Sequence, residues 1–220
     1  MSKALDLKDT LKAARGAIFD LDGVIVDTAK YHFLAWRALA AELGFTFTEE
    51  HNERLKGVSR MRSLAILLEI GGLSLSEEEK LLLADRKNKN YVEYISHIDQ
   101  SELLPGAREY LMALKAAGTR ISLGSASKNA ELILSRLNIR SLFDAIVDGN
   151  KVTLAKPDPE VFLLASRELE LAPADCVVYE DAAAGIEAAL AAGMRAVGIG
   201  KPQHLPGADL WVAGLHEMLG

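Results

Sequence analysis

From Pro105 onward, short runs of β-branched and other apolar residues alternate with stretches of helical periodicity, and few folds accept that pattern. Ile121–Gly124, Ala145–Val147, Cys176–Tyr179 and Ala196–Ile199 read as strands, and Leu210–Val212 as a last one. Between them the spacing predicts a helix opened by Pro105-Gly106 and closed by Gly118, then helices over Ala130–Leu137, around Val161–Leu169 and around Ile186–Ala192. A strand that returns to the same end of a sheet through a helix must pair in parallel. The expected fold class is therefore α/β, a doubly wound parallel sheet covered by helices on both faces.

One strand stands apart. Ala17-Ile18-Phe19 is a short apolar run that ends in Asp20-Leu21-Asp22-Gly23, and about eighty residues of helical pattern follow it. Phe33, Trp36, Leu39, Ala40 and Leu43 share one face, with Gly44 as a left-handed stop. Met61, Leu64, Leu67 and Leu68 mark a second helix ended by Gly71-Gly72, while Ser76 and Glu79 have capping-box spacing and open a third that runs toward His97. No strand interrupts this stretch. It reads as an all-helical insert, residues 31–102, in the first β-to-α connection of a core formed by residues 1–30 and 103–220. That connection leaves from the carboxyl ends of the strands, so the insert is expected above the crevice there.

Composition narrows the partners. A formal charge of -6 argues against broad nucleic-acid binding, which needs basic patches to displace counterions. A few local cations and a metal still allow a phosphorylated substrate. Cys176 is the single cysteine, so no intrachain disulfide can form, and a reducing compartment is the simplest reading. Met1–Arg15 alternates charged and apolar residues, unlike a signal peptide, and no apolar run approaches the roughly 20 residues of a membrane helix. We expect a cytoplasmic monomer acting on a small molecule, without nucleic-acid or membrane partners.

The polar residues that follow the strands carry the chemistry: Asp20 and Asp22, then Ser125, then Lys156, then Glu180 and Asp181. Taken singly, each has an ordinary reading as a turn or cap residue. In this order, each after its own strand, they converge on one sheet edge. Clustered carboxylates need a cation among them, and an all-oxygen set favours magnesium over zinc. Magnesium, a lysine and a hydroxyl suit a phosphoryl group, whose transfer depends on positioning and charge neutralisation. Asp20 is the candidate nucleophile through an aspartyl phosphate, and Asp22 the candidate acid and base.

The ordered set resembles the haloacid dehalogenase superfamily of aspartyl-phosphate enzymes over nearly all the chain from Ala17 onward. Phe19 to Thr28 is similar to its first motif, and Ser125, Lys156-Pro157 and Glu180-Asp181 to the later ones. That family's fold, an α/β core with a cap, agrees with the helical insert. Within the insert, Tyr31-His32-Phe33, Trp36 to Ala40, Asn52 to Arg60 and Arg86-Lys87-Asn88, with Ser125 to Asn129 in the core, resemble a sugar-phosphate mutase branch of the superfamily.

The resemblance implies conversion of β-D-glucose 1-phosphate to glucose 6-phosphate, with glucose 1,6-bisphosphate as intermediate and activator and one Mg2+ per site. It implies that Asp20, Asp22, Glu180 and Asp181 form the metal site and that Ser125 and Lys156 hold the transferring phosphoryl. Thr28 and His32 would position Asp22, and Lys87 would meet the sugar. The run Lys56-Gly57-Val58-Ser59-Arg60 and the loop Ala126-Ser127-Lys128-Asn129 would bind the substrate, Arg60, Ser127, Lys128 and Asn129 gripping the second phosphate. A bisphosphate must be held at both ends, and a planar guanidinium suits the far one. Met61-Arg62 and the loop Asp148-Gly149-Asn150-Lys151 depart from the branch's pattern, and the residues before Ala17 have no assigned role. A phosphatase of the same superfamily is the nearest rival, and a phospho-acceptor signalling domain a remote one.

Overall fold

The computed structural model describes residues 8–55 and 58–219; Lys56 and Gly57, both expected to bind substrate, lie outside the described residues. The chain divides into two compact units, residues 28–98 and residues 1–27 with 99–220.

Among its described residues, the unit of residues 28–98 is entirely helical. It comprises α1 (Ala29–Glu42), α2 (Glu49–Glu53), α3 (Arg60–Gly71) and α4 (Glu77–Ser96). Gly72, at φ +64°, caps α3 where a side chain would be strained. Ser76 and Glu79 close their capping box at the start of α4. Trp36, Leu39, Phe47, Leu64, Leu67 and Ala84 form the shared core. Helix α2 has only five residues, too few for periodicity to reveal, and rests on a box in which Thr48 and His51 cap each other.

The other unit is built on a parallel sheet of β1 (Gly16–Phe19), β2 (Arg120–Gly124), β3 (Ala145–Val147), β4 (Cys176–Glu180), β5 (Arg195–Ile199) and β6 (Leu210–Val212). Their order is β3-β2-β1-β4-β5-β6. The chain winds outward from β1 through β2 and β3, then crosses back to β4 and winds the other way. The direction reverses between β1 and β4, and a doubly wound sheet opens its crevice at that point.

Helices α7 (Glu160–Glu168) and α8 (Ala183–Ala191) pack Phe162, Ala165 and Ile186 against Ile18 and Val178 on one face. On the other face, α5 (Ala107–Ala116) brings Tyr110 edge-on to Phe19 and Tyr179, whose rings stack at 4.5 Å. Helix α6 (Ala130–Arg136) links β2 to β3. Helix α8 begins earlier than its apolar spacing implies, because Glu180 Oε1 accepts the Ala182 N–H at 3.1 Å and orders the turn before it. No helix among the described residues is long and apolar enough to cross a membrane.

Candidate functional site

Asp20 leaves β1 with its N–H donated to the Tyr179 carbonyl at 3.0 Å, so the neighbouring strand fixes its backbone. The following turn closes through Gly23 N–H to the Val26 carbonyl at 2.8 Å. Gly23 lies at φ +81°, and a β-carbon there would overlap the Asp181 carboxylate, so position 23 has two independent reasons to be glycine.

Across the switch point, the Lys156 ammonium bridges two acids, 2.7 Å from Asp20 Oδ1 and 2.8 Å from Glu180 Oε2. Its side chain is 10% exposed and lies over the Phe162 ring. Asp20 and Glu180 are buried, Asp181 is exposed, and one oxygen from each of the three lies within 4.8 Å of the others.

Charge is unbalanced here. Burial pushes Glu180 up to about 8, with the charges of Asp20 and Asp181 adding to it and Lys156 opposing. Desolvation and repulsion from Asp20 and Asp22 push Asp181 up to about 7, and for an exposed residue the repulsion is the firmer cause. Burial alone would lower Lys156, yet Asp20 and Glu180 outweigh it and hold the ammonium protonated. A cluster of carboxylates with one fixed ammonium favours a further cation. Its all-oxygen donors fit a hard divalent ion rather than zinc.

Ser125 follows β2 and is buried, with its N–H on the Val147 carbonyl at 3.0 Å. Its hydroxyl oxygen accepts the Ser127 N–H at 3.1 Å, which leaves the hydroxyl proton available to a ligand. Ser127 Oγ accepts the Asn129 N–H at 3.3 Å, so Ser125 to Asn129 is a loop of successive side-chain-capped turns. Ala126 and Lys128 are its exposed members.

In the helical unit, buried Thr28 precedes α1, and its carbonyl accepts the N–H groups of Tyr31 and His32 at 3.0 and 3.1 Å. His32 stacks on Tyr91 at 4.0 Å, and its Nδ1 lies 2.8 Å from Lys87 Nζ. A lysine can only donate, so Nδ1 accepts and the imidazole proton sits on Nε2. Burial, with Lys87 and Arg60, holds His32 well below the usual imidazole range. Lys87 itself is 2% exposed, its ammonium set over the Trp36 and Tyr91 rings. Val58 and Ser59 are exposed; Ser59 caps α3 through the Arg62 N–H, and Arg60 is the first helical residue.

The structure thus gathers Asp20, Lys156, Glu180 and Asp181 into one cluster, with Asp22 near enough to raise Asp181, and sets Ser125 to Asn129 at the end of the strand beside β1. Thr28, His32, Val58, Ser59, Arg60 and Lys87 belong to the helical unit. Two contributors escaped sequence reasoning. Tyr91 supports His32 and Lys87 from within α4, where it reads as an ordinary core residue. Gly185 had a visible signal, a glycine inside a helix, and the Glu180 carboxylate fills the place of its side chain.

Residues 14–193 match the model of the haloacid dehalogenase-like hydrolase family. The chain is 48% identical to a β-phosphoglucomutase of Bacillus subtilis, over 90% of this chain and 88% of that protein. It is 34% identical to a phosphorylated carbohydrates phosphatase of Thermotoga maritima, over 82% of each. Among solved structures, a β-phosphoglucomutase from Clostridium difficile superposes with a TM-score of 0.87 and 44% identity, covering 93% of this chain and 92% of that one.

Proposed function

The chain belongs to the haloacid dehalogenase-like hydrolase family, and within it we propose that the chain works as a β-phosphoglucomutase, interconverting β-D-glucose 1-phosphate and glucose 6-phosphate. The observation that carries this reading is the near-half identity to a mutase, which extends over nine-tenths of the chain. It acts in the cytoplasm as a monomer, on a small sugar phosphate.

The phosphoenzyme carries its phosphoryl on Asp20. Asp22 takes the proton from the C6 hydroxyl of β-glucose 1-phosphate as that oxygen bonds to phosphorus and the bond to Asp20 breaks, which gives glucose 1,6-bisphosphate. In the return step an Asp20 oxygen bonds to the C1 phosphorus, the bond to the C1 oxygen breaks, and Asp22 returns its proton to that oxygen. Lys156 holds Asp20 in place and offers positive charge to the equatorial oxygens, and the Ser125 hydroxyl donates to one of them. Asp20, the Asp22 carbonyl and Asp181, with Glu180 beside them, would hold one Mg2+, which when bound neutralises charge on the phosphoryl group.

A bisphosphate also needs a grip on the phosphate that is not reacting. We assign it to Ser127, Lys128 and Asn129 and, from the helical unit, to Arg60 with Val58 and Ser59 beside it; Ala126 is exposed in the same loop. Thr28 and His32 are assigned to positioning Asp22, and Lys87 to the sugar, which it would meet only on leaving His32.

The likeness to a carbohydrate phosphatase favours a second reading, in which water replaces the sugar hydroxyl. Arg60→Ala separates the two. On the mutase reading it impairs sugar-phosphate turnover far more than hydrolysis of p-nitrophenyl phosphate, whereas equal losses favour the phosphatase.

A further inference from the structure

The loop after β3 holds the loop after β2. These strands are parallel neighbours with Gly124 opposite Val147, so both loops leave the same end of the sheet. Beyond the strands, the Ser125 N–H reaches the Val147 carbonyl at 3.0 Å, the Gly149 N–H reaches the Ser127 carbonyl at 3.2 Å, and Asn150 Nδ2 donates to the Lys128 carbonyl at 3.0 Å. Asn150 is itself fixed by buried Asp148. Its backbone N–H donates to Oδ1 and its Nδ2 to Oδ2, both at 2.9 Å. One amide hydrogen thus serves Asp148 and the other serves Lys128. Gly149 permits the close approach, since a β-carbon there would overlap the Ala126 carbonyl and stand 3.1 Å from the Lys128 side chain.

In a planar trans peptide the C=O and the next N–H point in opposite directions. Fixing the Ser127 carbonyl on the β3 side therefore turns the Lys128 N–H the other way, while the Asn129 N–H is held by Ser127 Oγ within the loop. The loop's donors are set in advance, and ordering them on binding costs less.

We propose that Asp148, Gly149 and Asn150 are positioning residues for the anion grip of Ser127, Lys128 and Asn129, and through it for the non-transferring phosphate of the sugar bisphosphate. The proposal rests on the mutase reading above. Asn150 is exposed, so its replacement leaves the core intact.

The test compares wild type with Asn150→Ala and Asn150→Asp, the latter nearly isosteric but with an acceptor facing both the Lys128 carbonyl and Asp148. Asn150→Ala raises KM for β-glucose 1-phosphate about five- to tenfold, the worth of one hydrogen bond, and Asn150→Asp raises it more. In both, kcat and the hydrolysis of p-nitrophenyl phosphate, which has no second phosphate, stay within about twofold. An unchanged KM, or an equal loss on p-nitrophenyl phosphate, overturns the proposal. Wild-type turnover judges the mutase reading separately. Should wild type make no glucose 6-phosphate, calorimetry with glucose 1,6-bisphosphate and with inorganic phosphate still decides. Weaker binding of the bisphosphate alone sustains the clamp, and unchanged binding of both removes it.

Discussion

The Glu180 carboxylate occupies the space that a β-carbon on Gly185 would fill. Glycine inside a helix costs about 1 kcal/mol relative to alanine, so α8 forgoes local stability at that position. In return Glu180 reaches the Ala182 N–H with one oxygen and Lys156 with the other.

Gly185→Ala should displace Glu180 and lower kcat by about tenfold or more, because small misplacements at a reacting centre are costly. In a Glu180→Ala background the same change should leave residual activity alone and add about 1 kcal/mol of stability. A double-mutant cycle on kcat and Tm reads both. Equal losses in the two backgrounds would mean that Gly185 serves packing rather than Glu180.

Lys156→Met should leave the carboxylates of Asp20 and Glu180 without their ammonium, and breaking such a buried pair costs about 3–5 kcal/mol. Protonation relieves the repulsion. The deficit relative to wild type, measured by urea unfolding in metal-free buffer, should therefore be larger at pH 8.5 than at pH 5.5. A deficit independent of pH would contradict the charge account.

The raised carboxyl groups also predict how Mg2+ stabilises the protein. Glu180 and Asp181 bind protons more tightly folded than unfolded, where they titrate near 4.5 and 3.8. Their contribution to metal-free stability therefore falls as pH rises from about 4 to about 8. Protons compete with the metal over the same range. The gain in Tm on adding Mg2+ in place of a chelator should grow between pH 6 and pH 8, and Asp181→Asn should flatten it. A gain that is constant with pH would count against these carboxylates as ligands.

His32→Ala should remove an acceptor from the Lys87 ammonium, together with the ring stacked on Tyr91, at a cost of about 1–3 kcal/mol. His32→Asn, whose amide oxygen can stand near the Nδ1 position, should recover part of it. Chemical denaturation of the two variants reads the difference, and equal stability would mean that the hydrogen bond contributes little.

Strands were the most legible part of the fold, because each is a short apolar run flanked closely by polar or glycine residues. Ala145–Val147 and Leu210–Val212 agree residue for residue, and the other strands extend by one residue at an end. Ser76 and Glu79 announced α4 through a mechanism that is local in sequence. The five residues of α2 gave no period to detect. For the site, strand ends were enough to put Asp20, Ser125, Lys156, Glu180 and Asp181 at one edge. They could not reveal that one ammonium bridges Asp20 and Glu180, which depends on the strand order β1-β4. Nor could they show that Lys87 is buried over the Trp36 ring, since that contact joins α4 to α1.

The most direct measurement supplies the protein with β-glucose 1-phosphate, Mg2+ and a trace of glucose 1,6-bisphosphate, and follows glucose 6-phosphate through a coupled dehydrogenase while inorganic phosphate is assayed in parallel. Glucose 6-phosphate from the β anomer and not the α anomer, with little phosphate released and none of this turnover in Asp20→Asn, is the expected result. Release of phosphate without glucose 6-phosphate would contradict the mutase assignment, and an active Asp20→Asn variant would contradict the nucleophile.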